Sequence, residues 1–169
     1  MDSQSQWPTQ NDLPEKVRAG GIALLNQQLA DALDLALQAK QAHWNVKGPN
    51  FIAPHELFDS VVDEILEYAD DLAERAVELG GTAFGTARIA AKNSHLPEYR
   101  LDISSGHDHV AALSTAIAKF GASARAGIDG ANALPDADTA DLFTEISPWR
   151  RHTSVEGRSA RGGEGLAGT

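Results

Sequence analysis

The 169-residue sequence contains no cysteine. This absence excludes disulfides, thiolate metal sites and cysteine nucleophiles, and it fits a reducing compartment. No stretch approaches the ~20 consecutive apolar residues of a membrane-spanning helix. The N-terminus has no basic start followed by an apolar run, so no signal peptide is expected. We therefore expect a cytoplasmic protein without a membrane partner, large enough to form one domain with a substantial core.

Basic residues are scarce in most of the chain. Residues 1–147 carry 10 Lys and Arg against 22 Asp and Glu, a net charge of −12, whereas residues 148–169 have a net charge of +2. No Lys or Arg precedes Lys16. Because an acidic surface attracts cations and repels nucleic acid, DNA contact would need a local basic element, and we expect weak DNA binding at most. The C-terminal segment offers one such element, formed by Arg150, Arg151, Arg158 and Arg161.

Apolar residues recur at helical spacing in four segments. The pattern predicts helices over about residues 17–44, 51–79 and 107–128, and a last helix that begins near Asp138 and ends at Pro148. We expect Asn11 or Asp12 to cap the first helix, with Pro14 at an early helical position, and Ser105 to cap the third. The segments KGPN (47–50) and DGANALPDADT (129–139) are predicted turns or loops.

These segments predict an all-α, ferritin-like four-helix bundle. Its two helix pairs are joined by a long crossover over residues 82–103, with a short helix near residues 84–93. The bundle is expected to occupy residues 13–147, after a flexible N-terminal tail over residues 1–12. Residues 148–169 are rich in Gly and Arg and have no apolar period, which predicts disorder. The final helix is therefore truncated, at barely three turns.

Five side chains between residues 43 and 74 suit a metal site: His43, His55, Asp59, Asp70 and Glu74. Imidazole with carboxylate suits iron, zinc or manganese. His55 and Asp59 share a helix face at i, i+4, and Asp70 and Glu74 repeat that spacing. The second pair lies ~16 to 22 Å further along the helix, so one chain cannot easily bring both groups to one metal. An antiparallel partner chain can, which favours a site shared between two subunits.

Ordinary surface charge is the simpler alternative for the same residues. Acidic pairs at this spacing are usually solvated, and Asp70 and Glu74 stand among many other charges of the same helix. His43 taken alone is more often a hydrogen-bonded residue at the edge of a core. Residue types and spacing therefore leave the metal site and the solvated surface open as interpretations.

The run HWNVKGPNFIAPHELFD, followed by DDLAERAVELGG, resembles the Dps family. These proteins are ferritin-like miniature shells, also called DNA-protecting proteins of starved cells. The segments PEYRLDISS and DADTADLFTEIS resemble later parts of that family, so the resemblance covers about residues 13–147. It implies a four-helix bundle with a short helix in the central connection. It also implies a homo-oligomeric shell of twelve subunits.

The resemblance further implies a ferroxidase centre for two iron ions at the two-fold interface between subunits. By motif position, one subunit supplies His43, His55 and Asp59, and its partner supplies Asp70 and Glu74. The implied reaction is oxidation of Fe(II), preferentially by hydrogen peroxide. Ferric mineral is then stored inside the shell, and DNA is protected from oxidative damage.

Two further residues near these ligands bear on the chemistry. Trp44 would lie beside the centre, where an oxidisable aromatic ring could intercept radicals, although an aromatic packed at a helix end is the plainer interpretation. Pro54 stands where the family usually has an aliphatic residue. Because it borders His55, it could change the direction of that ligand.

Three alternative functions follow from other features of the chain. The first is a non-enzymatic nucleoid protein that binds and condenses DNA, against which the acidic body and the uncharged start both count. The second is a di-iron oxygenase on a related bundle, but such proteins carry Glu-x-x-His motifs within one chain, and this sequence has none. The third is a damaged subunit that neither assembles nor works, because its last helix is short.

The resemblance stops at Ser147, and the genetic code suggests why. The family's last helix normally continues with a Leu-Trp pair and a Glu-Ala-His element, whereas this chain continues PWRRHTSVEGRSARGGEGLAGT. Back-translating residues 148–161 and shifting the frame by one nucleotide permits Arg-Gly-Val-Asp-Thr-Leu-Leu-Trp-Lys-Val-Glu-Ala-His. We therefore hypothesise that residues 148–169 arise from a frameshift.

The frameshift hypothesis predicts a specific nucleotide sequence. Re-sequencing the gene around codon 147 should show codons whose shifted reading gives this Leu-Leu-Trp segment. Codons that encode residues 148–161 without permitting that second reading would contradict the hypothesis.

Overall fold

The computed structural model describes residues 7–147. It contains five helices: α1 (Glu15–Asn45), α2 (Ile52–Glu78), α3 (Ala87–Asn93), α4 (Gly106–Ala133) and α5 (Ala137–Ile146). The described part has no strand, so the predicted all-α fold is confirmed. The four longer helices form the bundle, and α3 lies in the crossover against α1. No helix within residues 7–147 is long and apolar enough to cross a membrane.

The core lies where α1 packs between α2 and α4, with α5 closing the bundle against α4. Its largest side chains are Phe58, Phe120 and Phe143, each at most 2% exposed. Burial of each contributes roughly 1.5–3 kcal/mol. A glycine permits the close approach of α5, because a Cβ on Gly127 would lie 2.7 Å from the ring of Phe143.

The turn between α1 and α2 is tied to the start of α4. Gly48 has a φ of +120°, a backbone conformation that glycine adopts without steric cost. The preceding residue connects the turn to the segment before α4, because the Lys47 N–H donates to the carbonyl of Ser104 at 2.9 Å. Pro54 lies in the first turn of α2, where its missing N–H has no helical partner to lose. The end of α1 and the start of α2 are therefore held together at one end of the bundle.

The start of α1 differs from the sequence prediction. Its N-cap is Pro14 rather than Asn11 or Asp12, and no side chain caps this end. The Asn11 side chain instead accepts a hydrogen bond from the N–H of Leu13 at 3.0 Å, which is a local turn before the helix. The cap predicted for α1 was wrong because the Asn11 side-chain oxygen is engaged by the N–H of Leu13, which precedes the helix. The cap predicted for α4 is confirmed, since Ser105 accepts from the N–H of Asp108.

Residues 7–12 run across the C-terminal end of α2. The Trp7 N–H donates to the carbonyl of Gly80 at 2.7 Å, and the Thr9 hydroxyl donates to the carbonyl of Glu78 at 2.9 Å. These bonds satisfy carbonyls that the end of a helix leaves without partners. The flexibility expected for residues 1–12 stays a prediction, and residues 1–6 and 148–169 lie outside the described residues.

The loop predicted over residues 129–139 was wrong at both ends. Helix α4 continues through Gly130 and Asn132 to Ala133, and α5 begins at Ala137 with Asp136 as its cap. Gly130 fits within the helix because it packs closely against Leu24. A Cβ atom added to Gly130 would lie only 3.0 Å from the Leu24 side chain. Tertiary packing thus overrides the local turn preference of these residues.

A buried ion pair links α2 to the start of α5. The Arg75 guanidinium contacts Asp136 at 2.9 Å, and the Asp136 side chain is 1% exposed. Asp136 also accepts from the N–H of Thr139 at 3.1 Å and from its hydroxyl at 2.6 Å. Every one of these contacts satisfies a polar group that would otherwise be buried unpaired, which makes Asp136 both a helix cap and the counter-ion of Arg75.

We predict that Asp136→Ala lowers the free energy of unfolding by about 2–4 kcal/mol, because it removes a cap and leaves Arg75 without its buried counter-ion. Urea denaturation of the purified protein measures this. The matched control is Asp138→Ala, since Asp138 also contacts Arg75, at 3.6 Å, but is 82% exposed. Its loss should stay within about 1 kcal/mol. Equal losses in both variants would contradict the role given to Asp136.

Candidate metal centre

Two histidines face each other where α1 ends and α2 begins. Nδ1 of His43 lies 2.9 Å from the carbonyl oxygen of His55, and Nδ1 of His55 lies 2.9 Å from the carbonyl oxygen of His43. The two imidazole rings are stacked, with centroids 3.7 Å apart and planes inclined by 22°. Each histidine thus fixes the ring of the other by a bond to its backbone.

This reciprocal pair determines the tautomer of both rings. A carbonyl oxygen can only accept, so both Nδ1 atoms must carry the proton. In a neutral ring the lone pair then lies on Nε2, and within residues 7–147 neither Nε2 has a hydrogen-bond partner. A backbone carbonyl on Nδ1 with a free Nε2 is the arrangement found in metal-binding histidines. Both Nε2 atoms therefore keep the lone pair that a nitrogen ligand needs, and the ligand role of His43 and His55 stays a prediction.

Asp59 lies beside this pair, one turn along α2. Its Oδ1 is 3.9 Å from Nδ1 of His43 and forms a close ion pair with the ammonium group of Lys40. The hydrogen bond from Lys40 lowers the pKa of Asp59 below its usual range. The carboxylate therefore stays ionised at lower pH than an ordinary Asp, which is the state a metal ligand needs. The Asp59 side chain is 46% exposed, so it remains open to solvent.

Asp70 and Glu74 are exposed in the C-terminal half of α2, away from the two histidines. With roughly 100° of rotation per residue, Asp59, Leu66 and Asp70 lie within about 40° of one another on one stripe of the helix, and Glu74 lies about 40° beyond. The structure therefore places both predicted ligand sets on neighbouring parts of one helix face, but does not bring them together within one chain.

No group of three or more His, Asp or Glu side chains in the described part of the chain is arranged to hold a metal ion. His43, His55 and Asp59 gather at one end of the bundle, and Asp70 and Glu74 lie about 16 Å or more along the helix from Asp59. The five-ligand centre thus stays a prediction that requires a second chain.

Large apolar side chains are exposed on both α1 and α2. Leu66 is 46% exposed between the two ligand sets of α2, and Leu37 and Trp44, seven residues apart on one face of α1, are 57% and 66% exposed. Trp44 directly follows His43. Because Trp44 is 66% exposed, its side chain is not buried within residues 7–147, whereas the plainer interpretation expected an aromatic packed at the helix end. A second copy that covers this part of α2 would bury Leu66.

The chain was compared with known proteins. A ferritin-like domain profile matches residues 22–148. The chain is 43% identical over 139 residues to the DNA protection during starvation protein of Agrobacterium fabrum, covering 82% of this chain and 86% of that protein. The chain belongs to the Dps family. Among solved structures, DpsA14 from Streptomyces coelicolor has a TM-score of 0.84 at 29% identity, over 98% of this chain and 99% of that one. Mycobacterium smegmatis Dps in a tetragonal form has a TM-score of 0.81 at 29% identity, over 89% and 92%.

Membership of the Dps family confirms the resemblance carried by the HWNVKGPNFIAPHELFD segment. The histidine pair and Asp59 lie within this same segment, so the family match and the local geometry concern the same residues. Sequence reasoning missed Lys40, which pairs with Asp59. The signal was available, because Lys40 precedes His43 by three residues and must share its face of α1.

The ion pair between Lys40 and Asp59 predicts competition between the ammonium group and a bound cation. Lys40→Gln should tighten binding of Zn(II), used as a redox-inert probe, by roughly fivefold at pH 7, the scale of one exposed ion pair. Isothermal titration calorimetry measures this. The matched control is Lys47→Gln, which removes the same charge from a lysine that does not contact Asp59. A similar change in both variants would show a general charge effect and contradict the specific competition.

Proposed function

We propose that this Dps-family chain is an iron oxidation and storage protein. It oxidises Fe(II), preferentially with hydrogen peroxide, at a centre shared between two subunits. The ferric product is stored as mineral inside a homo-oligomeric shell of twelve subunits, and DNA is protected from oxidative damage. In this proposal iron is the substrate and cargo, and hydrogen peroxide is the electron acceptor.

The observation that carries this proposal is the reciprocal bonding of His43 and His55. Stacked rings with both Nδ1 atoms donating to backbone carbonyls have no evident use in a solvated surface, yet they leave two Nε2 lone pairs in fixed positions. Asp59 adds an ionised oxygen ligand next to them. Imidazole and carboxylate together suit iron.

A two-fold axis can supply the remaining carboxylates. The midpoint between Asp59 and Asp70 falls between residues 64 and 65, and the midpoint between Asp59 and Glu74 falls between residues 66 and 67, so the two midpoints are only about 3 Å apart along the helix. An antiparallel copy of α2 crossing near Leu66 would therefore bring Asp70 and Glu74 of each chain beside Asp59 of the other. Leu66 is exposed at this point, and a second copy would bury it.

The chemistry requires two electrons for each peroxide. Two Fe(II) ions held together give one electron each, the O–O bond breaks, and with two protons the peroxide becomes two waters. A single Fe(II) gives only one electron and releases a hydroxyl radical with hydroxide. Carboxylates stabilise the higher charge of the Fe(III) product. A centre with ligands for two ions therefore protects nearby molecules while it removes peroxide.

The charge of the chain supports a cation substrate over DNA as the main ligand. Residues 1–147 have a net charge of −12, which raises the local concentration of Fe(II) and opposes contact with phosphates. This charge counts against the alternative of a nucleoid protein that acts only by condensing DNA.

The central test is the initial rate of Fe(II) oxidation by hydrogen peroxide, followed by the absorbance of the ferric product. Glu74→Ala removes one carboxylate from the proposed centre and should lower the rate at least about 100-fold, since even the loss of an outer-sphere partner costs ~10–100-fold.

Glu78→Ala is the matched control, because Glu78 is one turn further along the same helix and its side chain forms an exposed ion pair with Arg75 at 3.2 Å. It should keep the wild-type rate. If the wild type is no faster than iron and peroxide without protein, the proposed function is wrong. If Glu74→Ala and Glu78→Ala behave alike, the assignment of the carboxylate is wrong.

A further inference from the structure

A tyrosine and a histidine outside the proposed ligand set form a close pair in the bundle. The Tyr99 hydroxyl lies 2.6 Å from Nδ1 of His109, and the two rings are inclined by only 13°. His109 is on α4 and is 1% exposed, and Tyr99 is half-buried in the crossover that leads to α4. A phenol that donates to an imidazole at this distance has a base ready to take its proton.

The surroundings keep this pair in the required protonation state. Burial lowers the pKa of His109, against a smaller opposing effect of the Asn45 backbone and of Asp108, so the imidazole is held neutral. Burial also raises the pKa of Tyr99 to about 12, so the phenol keeps its proton. A neutral phenol beside a neutral imidazole can transfer a proton only when the tyrosine loses an electron.

The pair lies next to the proposed metal centre. The His109 ring packs edge-on against Phe58, with centroids 6.2 Å apart, and Phe58 directly precedes Asp59 on α2. The Asn45 backbone, which also acts on His109, is two residues from His43. His109 thus contacts both helices that carry the proposed ligands, through Phe58 next to Asp59 and through Asn45 two residues from His43.

We propose that Tyr99 and His109 form a proton-coupled redox pair that reduces one-electron oxidants produced beside the metal centre. Trp44, the aromatic residue that the sequence suggested for such a role, is 66% exposed, and within residues 7–147 its indole N–H is not hydrogen-bonded to a base. The proposal rests on the proposed function for its physiological oxidant, the hydroxyl radical from Fe(II) and peroxide. The pair itself is testable without iron.

The electron and proton balance is simple. Tyr99 gives one electron to the hydroxyl radical, which takes a proton from solvent and becomes water. The phenolic proton of Tyr99 moves to Nδ1 of His109, leaving a neutral tyrosyl radical and an imidazolium. A later Fe(II) returns one electron to the radical and becomes Fe(III), while the proton returns from His109. One oxidising equivalent is thereby converted into ferric product.

The other tyrosine provides an internal comparison, because the chain has only two. The Tyr68 hydroxyl donates to Glu64 at 3.0 Å, and the pKa of Tyr68 is also raised to about 12, by burial and then by Glu64. A carboxylate is a weaker base than an imidazole, so it accepts the phenolic proton less readily. Tyr68 therefore shares the high pKa but lacks the histidine.

The decisive experiment oxidises the full chain with azide radicals made by pulse radiolysis, without iron or peroxide. The tyrosyl radical is followed by its absorption and by electron paramagnetic resonance after freezing. The wild type should form a tyrosyl radical, Tyr68→Phe should retain it, and Tyr99→Phe should lose it. Its formation should slow in deuterated water, a response that a structural hydrogen bond would not give. A radical that persists in Tyr99→Phe, or that is lost in Tyr68→Phe, overturns the proposal.

A second variant tests the histidine. His109→Gln keeps a hydrogen-bond acceptor but removes the base, so it should lose the radical while its helical circular dichroism is retained. An unchanged radical in this variant overturns the role of His109. If the variant does not fold, the isotope effect on the wild-type radical decides, and its absence overturns proton transfer.

Iron and peroxide then test the physiological oxidant. Spin trapping of hydroxyl radical during Fe(II) oxidation should give more adduct in Tyr99→Phe than in Tyr68→Phe, and equal adduct overturns the protective role. If the wild type does not oxidise iron at all, the proposed function fails, while the azide experiment still decides whether the redox pair exists.

Discussion

The rise of an α-helix, about 1.5 Å per residue, is the constraint on which the proposed site depends. It separates Asp59 from Asp70 and Glu74 by roughly 16 to 22 Å along α2. Because the helix is rigid, one chain cannot bring these carboxylates of α2 to the same metal ion. The same geometry keeps the two sets on neighbouring parts of one face, with exposed Leu66 between them. In the proposed centre a second, antiparallel copy bridges this separation, so the proposal makes the chemistry depend on oligomerisation.

The rest of the fold holds this face in place. The end of α1 and the start of α2 are bound together by the backbone contacts of His43 and His55, and their turn is bound to α4 through Lys47. At the far end of α2, Arg75 is fixed to the cap of α5 through buried Asp136. Both ends of α2 are therefore anchored, and the ligands of that helix depend on packing from every other long helix.

Much of this architecture was predictable because long helices carry a strong periodic signal. The bundle and the end of α2 near residue 79 follow from that signal, and the Ser105 cap follows from the residue type. The failures have local causes. Gly130 and Asn132 favour a turn in isolation, but packing on Leu24 extends α4 through them. Asn11 has the chemistry of a helix cap but bonds to Leu13 instead.

The candidate site was predictable to a similar degree. Residue types and spacing selected the five candidate ligands and favoured a shared site, and the family resemblance assigned each candidate to one of two chains. The five-ligand centre stays a prediction, and the structure adds how His43 and His55 are oriented. The ion pair of Lys40 and the Tyr99–His109 pair were not predicted, because each joins residues from different elements. Such contacts depend on how helices pack, which spacing along one helix does not encode.

The most direct test of a shared centre is complementation between two inactive variants. His55→Ala and Glu74→Ala subunits are denatured, mixed and refolded together, and Fe(II) oxidation by peroxide is measured. In a mixed pair, one of the two interface sites contains both substitutions and the other contains neither. The shared-site account predicts that mixing restores activity that neither variant has alone. If the mixture stays as inactive as its components, although native mass spectrometry shows mixed assemblies, the ligands do not come from two chains.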